Sequence, residues 1–183
     1  MINTIYPRVA AWNSARYDRE LNIGLAVALL TEEFEEWVTA KDEVAELDAL
    51  CDLIYVALGV AWKVDDELEM THRAYEAAIP LVDLFETIGT PDIAVHIASA
   101  VVCCRRYSPL MGAMPVVLLS LAQMLSMGLT YDQCIEAMLI VCDANDSKSL
   151  SKTASSEKAN KDKGADFVSP EPKLKELLAC ARS

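Results

Sequence analysis

The chain has 183 residues, a length that suits one domain, and 53% of them are hydrophobic, enough for a substantial core. Glycine (6) and proline (7) are scarce while Ala, Leu and Glu abound, and no long run of alternating β-branched residues appears, so the composition points to an all-α helical bundle. The net charge of −12 repels a nucleic-acid backbone, excluding polymer binding, and a small polyanionic substrate would need a metal ion to bridge it to such a surface.

The segment Pro7–Asp18 suggests a first amphipathic helix, with Val9, Trp12 and Tyr17 as packing or substrate contacts. Asn22 can cap a second helix running to about Thr39, with Asp18 as an alternative cap one turn earlier. Lys41-Asp42 marks a tight turn, and a third helix runs from about Glu43 to Lys63. Two helices so shortly joined pack antiparallel. Asp65 or Asp66 starts a fourth helix, interrupted around Pro80. Gly89-Thr90-Pro91-Asp92 reads as a stop and restart, with Thr90 capping a helix that ends near Arg106. Tyr107–Met114 is expected to be a loop, because it holds Pro109 and Gly112. A helix from Pro115 to Met127 follows, closed by Gly128. The apolar stretch Pro115–Leu129 is too short to span a bilayer, contains Gln123, and reads as a buried core helix. Thr130 with Gln133 forms a capping-box signal for a helix ending near Asp143. Ser147–Asp166, rich in Ser, Lys, Asp and Ala, reads as an extended mobile segment. Phe167–Pro172 suggests an ordered turn and Lys173–Ala181 a last short helix.

Chemistry concentrates on the second and third helices. Glu32, Glu33 and Glu36 fall within about a third of a helix circumference, and Asp48 and Asp52 stand one turn apart on the next helix. A solvated face is the ordinary fate of a glutamate run, and it is the reading for Glu35, Asp42, Glu43 and Glu46. It suits Asp48 and Asp52 less, since they interrupt the apolar segment 47–60 and no lysine or arginine lies within a turn of either. Four or five carboxylates aimed at one place repel unless a cation joins them, and an oxygen-only set suits Mg²⁺ or Mn²⁺. Lys148, Lys152, Lys158, Lys161, Lys163, Lys173 and Lys175 crowd the C-terminal segment, so a phosphate could lie between metal and lysines if the tail folds back.

The six cysteines show no Cys-x-x-Cys spacing and read as reduced thiols. No secretory signal is present, and a cytoplasmic, membrane-free protein is expected.

Glu32-Glu33-Phe34-Glu35-Glu36, followed by Asp48-Ala49-Leu50-Cys51-Asp52, resembles the all-α, MazG-like nucleoside triphosphate pyrophosphohydrolases, which include phosphoribosyl-ATP pyrophosphohydrolase and dimeric dUTPases. Their signature is Glu-Glu-x-x-Glu on one helix and Glu-x-x-Asp on the next. Glu32, Glu33 and Glu36 match the first motif and Asp52 the end of the second. At Ala49 the family usually has Glu, and Asp48 one position earlier can substitute, as in phage-type relatives. Asn145-Asp146-Ser147-Lys148 and Lys163-Gly164-Ala165-Asp166-Phe167 also resemble phage-type elements that meet the nucleotide. The resemblance covers about 5–65 and 128–178. It makes 66–127 a helical insertion in a single domain and 146–172 a substrate-contacting tail.

The resemblance implies hydrolysis of a (d)NTP to (d)NMP and pyrophosphate in a homodimer or homotetramer, in an infected host cell's cytoplasm if the chain is viral. It implies Mg²⁺ or Mn²⁺ on Glu32, Glu33, Glu36, Asp48 and Asp52, with Glu32 or Glu33 orienting or deprotonating the attacking water. Asn145, Lys148 and Lys163 would contact the substrate, the lysines on the leaving pyrophosphate. Trp12, Asn13, Arg16 and Tyr17 are candidate base contacts. Two other classes stand beside it. One is a non-catalytic helical regulator that keeps the fold, to which Ala49 gives weight. The other is a di-iron carboxylate bundle, suggested by Glu69-x-x-His72, although two such motifs are needed and only one exists.

Overall fold

A computed structural model describes residues 1–65, 68–88, 93–148 and 166–182, with side chains for all of these except 80–88. Within them the chain forms eight α-helices and no strand: α1 (Ile2–Ser14), α2 (Ile23–Val38), α3 (Glu43–Val64), α4 (Glu69–Ile88), α5 (Ile93–Arg106), α6 (Pro109–Ser126), α7 (Tyr131–Asp146) and α8 (Glu171–Ala181). The all-α expectation holds. The stop-and-restart Gly89-Thr90-Pro91-Asp92, most of the expected mobile segment, and Lys163 within it lie outside the described residues.

The third helix is the axis on which the others pack. α1, α2, α6, α7 and α8 all lie against α3. Leu47, Leu50, Leu53, Ile54 and Leu58 are fully buried, each adding about 1.5–3 kcal/mol. α3 starts where the sequence says it should: Asp42 is its N-cap, accepting from the backbone N–H of Val44 (3.0 Å) and Ala45 (2.9 Å). Asn22 caps α2 in the same way, accepting from Leu25 N at 3.0 Å. The Thr130–Gln133 capping box opens α7.

Three expectations are corrected. α1 begins five residues before Pro7, not at it. Ile2, Ile5, Tyr6, Val9 and Trp12 make one buried stripe, and that burial outweighs the hydrogen bond Pro7 cannot donate. The fourth helix starts at Glu69 and runs through Pro80 without interruption. Asp65 instead ends α3, and its buried carboxylate accepts from Thr71 N in the first turn of α4 at 2.5 Å. Thirdly, 109–114 is helix rather than loop. Pro109 takes the first position of α6, where no N–H is required, and Gly112 sits where α5 and α6 touch.

α6 is thus 18 residues long, enough by length and composition to cross a membrane, yet 61% of it is buried inside the protein, against α3, α4 and α5. Its crossing with α5 depends on Gly112. A Cβ there would stand 2.4 Å from Cys104 N, 2.4 Å from its Sγ and 2.5 Å from Ala100 O. Two of these are backbone atoms, so the helices would have to separate. Gly112→Ala is therefore expected to destabilise by about 1–3 kcal/mol, read as a lower urea midpoint, despite the better helix propensity of alanine.

α8 closes the described structure. Leu174, Leu177 and Leu178 are buried against α3 and α7, and Arg182 forms an ion pair with Glu43 at the start of α3.

Candidate active site

The α2–α3 hairpin sets the register of the acidic residues. Trp37 Nε1 donates to Glu46 Oε1 at 3.4 Å, and Gln123 Nε2 donates to the same oxygen at 3.0 Å. Glu46 thus ties α2, α3 and α6 together rather than merely facing solvent, as its sequence context suggested. Counting away from the turn along both helices brings Glu36 beside Asp48 and Glu33 beside Asp52.

The electrostatics record that proximity. Burial is the largest cause that pushes the Glu33 carboxyl up to about 8, and Asp52, Glu36 and Glu32 add to it. Asp48 is pushed up to about 7, again first by burial, then by Asp52, Glu171 and Glu36. Lys148, just beyond α7, partly opposes both shifts. Asp48 Oδ1 is buried and accepts no hydrogen bond. Glu32 and Glu36 are exposed and Asp52 is half-buried. Carboxylates from two helices therefore share one field, with Lys148 close enough to oppose it.

Do these residues fit a divalent cation? Their chemistry does: the donors are all oxygen, and Asp48 Oδ1 is an orphaned acceptor. Among the described residues, however, no three His, Cys, Asp or Glu side chains are gathered closely enough to form a ready cage. The carboxylates neighbour one another without converging on a point.

A second cluster adjoins the first where α1 meets the end of α7. Trp12 Nε1 donates to Asn145 O at 2.8 Å, Arg16 donates to Lys148 O at 3.1 Å, and the Arg16 guanidinium lies 4.2 Å over the Trp12 ring. Lys148 Nζ donates to the side-chain oxygen of buried Asn145 at 2.6 Å, which aims the lysine. Tyr17 and Tyr55 pack on Trp12 at 5.9 and 5.8 Å. The fold thus brings Trp12, Arg16, Asn145 and Lys148 together. Asn13 is turned elsewhere: it is buried, donates to Val9 O at 2.9 Å and lies against Gly59. Glu69 of the Glu-x-x-His pattern is ion-paired with Arg73, and His72 is half-buried.

Between the α2–α3 turn and α8 runs a cleft of about 1080 Å³, with Glu36 and Asp48 at its wall and Lys41, Lys175 and Arg182 also lining it. Sequence reading missed the part played by α8. Its first turn carries Glu171, which acts on Asp48 across 123 positions of chain, a pairing that no local spacing announces.

Residues 1–71 match the family model of phosphoribosyl-ATP pyrophosphohydrolase. The match spans all of α1, α2 and α3, hence every carboxylate singled out above except Glu171. The family resemblance carried by the two acidic motifs is borne out, and the all-helical architecture accords with it. This part of the chain is pyrophosphohydrolase-like, and α5 to α8 lie beyond the match. No curated protein and no solved structure matches the chain.

Proposed function

We propose that the protein is a metal-dependent nucleoside triphosphate pyrophosphohydrolase, converting a (d)NTP to (d)NMP and pyrophosphate. The observation that carries this reading is the crowded carboxylate field on the family-matched hairpin, with Glu33 and Asp48 pushed up by burial and by their acidic neighbours and Asp48 Oδ1 left without a hydrogen bond. Such a field is costly in a bare protein and becomes useful when it holds positive charge against a triphosphate.

Mg²⁺ or Mn²⁺, held by Glu33, Glu36, Asp48 and Asp52 with Glu32 at the edge, would neutralise the triphosphate and make water a better nucleophile. Glu32 or Glu33 then orients that water and accepts its proton. As the new P–O bond forms, the bond to the bridging oxygen breaks in line, and the electron pair leaves on pyrophosphate. Lys148, fixed by Asn145, neutralises charge on the reacting phosphate. Arg16, over the Trp12 ring, offers a polar group to the nucleoside.

The testing experiment is pyrophosphate release from the standard ribo- and deoxyribonucleotides, dUTP and phosphoribosyl-ATP, with Mg²⁺ and with Mn²⁺, beside Glu36→Gln. Metal-dependent turnover that Glu36→Gln loses is expected, and it would identify the base. Silence over the whole panel would overturn the proposal in favour of a non-catalytic helical regulator.

The proposal extends to a homodimer or homotetramer. Support comes from apolar side chains left exposed on α2 and α5, among them Leu25, Val95 and Val102. Light scattering coupled to gel filtration should return a multiple of 20.1 kDa, and a monomeric mass would remove this part.

A further inference from the structure

We propose that the cleft between the α2–α3 turn and α8 receives the pyrophosphate end of the triphosphate, with Lys41 and Lys175 as its cationic contacts, an assignment that rests on the pyrophosphohydrolase reading. Order along α3 is the first argument. Lys41 lies just before the helix, Asp48 and Asp52 follow, and Tyr55 stands seven residues beyond Asp48, about 10 Å farther along the axis. Tyr55 packs on Trp12, whose neighbour Arg16 leads to Lys148. One end of the carboxylate field thus runs towards buried Trp12 and Tyr55 and their half-buried neighbours Arg16 and Tyr17, and the other runs to the cleft that Lys41 and Lys175 line. A nucleotide has the same polarity: a flat base at one end, the phosphates at the other.

Charge is the second argument. In a chain of net charge −12, two exposed lysines lining one cleft are conspicuous, and among the described residues neither takes part in an ion pair. Arg182, the other cation there, is already engaged by Glu43. Of the acids lining the cleft, Asp42 is occupied as the cap of α3 and Glu36 belongs to the carboxylate field. Glu171 adds a further negative charge beside Asp48, so an anion would enter as its metal complex rather than bare. The volume easily holds pyrophosphate with water. α8 lies beyond residues 1–71, so this wall of the site is an addition to the family-matched hairpin.

The test is binding of magnesium pyrophosphate by calorimetry, with product inhibition as a second readout. Lys41→Ala/Lys175→Ala is expected to weaken pyrophosphate binding about tenfold or more and to raise KM for the nucleotide. Lys173→Ala, which removes the same charge from α8 outside the cleft, should bind as the unaltered chain does. Both lysines of the double variant are exposed, so folding should survive, as circular dichroism would verify. Weakened binding in the double variant alone supports the assignment even if the nucleotide panel stays silent. Undiminished binding in the double variant, equal loss in Lys173→Ala, or no pyrophosphate binding by the unaltered chain overturns it, even where turnover is intact.

Discussion

Asp52→Asn should lower pyrophosphate release by at least about 10³-fold, on the order of 4 kcal/mol of transition-state stabilisation, without unfolding the protein. Asp52 heads the outside charges acting on both Glu33 and Asp48, so it sits at the centre of the field rather than its edge. Replacing one carboxylate oxygen by an NH₂ group keeps the shape while removing the charge and turning one acceptor into a donor. Such a change costs a structural residue little and a metal ligand a great deal. The flanking Cys51 and Leu53 are fully buried and hold this turn of α3 in place whatever stands at 52. Glu36→Gln should behave alike for turnover, with a smaller effect on stability because Glu36 is exposed. Steady-state rates with a melting curve for each variant decide the matter. Near-normal turnover in Asp52→Asn would sink the ligand assignment.

Much of the candidate site is legible in the sequence alone. The carboxylates share helix faces by simple periodicity, and the short connection at Lys41-Asp42 leaves two helices little choice but to fold back on each other. Caps at Asn22, Asp42 and Thr130 were legible because each is a local bond between a side chain and backbone a few residues on. What sequence hid was non-local. Pro7 and Gly112 look like breakers, yet burial of one stripe in α1 and close approach of α5 to α6 put both inside helices. Asn13 looked like a polar contact on an exposed helix, but Gly59 on α3 leaves room for it to pack inward. Glu46 looked like one more solvated acid until Trp37 and Gln123 reached it. The helix α8 was itself legible over Lys173–Ala181, but the same limit hid its place, because Glu171, Lys175 and Arg182 meet the hairpin only through tertiary packing.

Asp48→Asn is expected to stabilise the metal-free protein while disabling it. The Asp48 carboxyl rises from an ordinary 3.8 to about 7, and Glu33 from 4.5 to about 8, because burial and like charges disfavour ionisation. The folded state therefore binds these protons more tightly than the unfolded chain does. The stabilisation is fully present below about pH 4 and is lost as pH rises through 7 to 8, where both groups must ionise against one another. An amide at 48 cannot ionise, so the bare variant should melt about 5 °C higher than the bare wild type at pH 8, and the gap should vanish towards pH 4. Divalent metal should reverse the ranking. A cation bound by the folded state alone adds RT ln(1 + [L]/Kd), so Mn²⁺ should raise the wild-type melting temperature, more at pH 8 than at pH 6, because it competes with the protons on Glu33 and Asp48. The variant should gain little from Mn²⁺ at either pH. Melting curves over pH 4 to 8, with and without Mn²⁺, carry all of these signs at once. A bare variant no more stable than wild type at pH 8, or one rescued equally by metal, would mean that Asp48 is held by some other partner and is not kept for a cation.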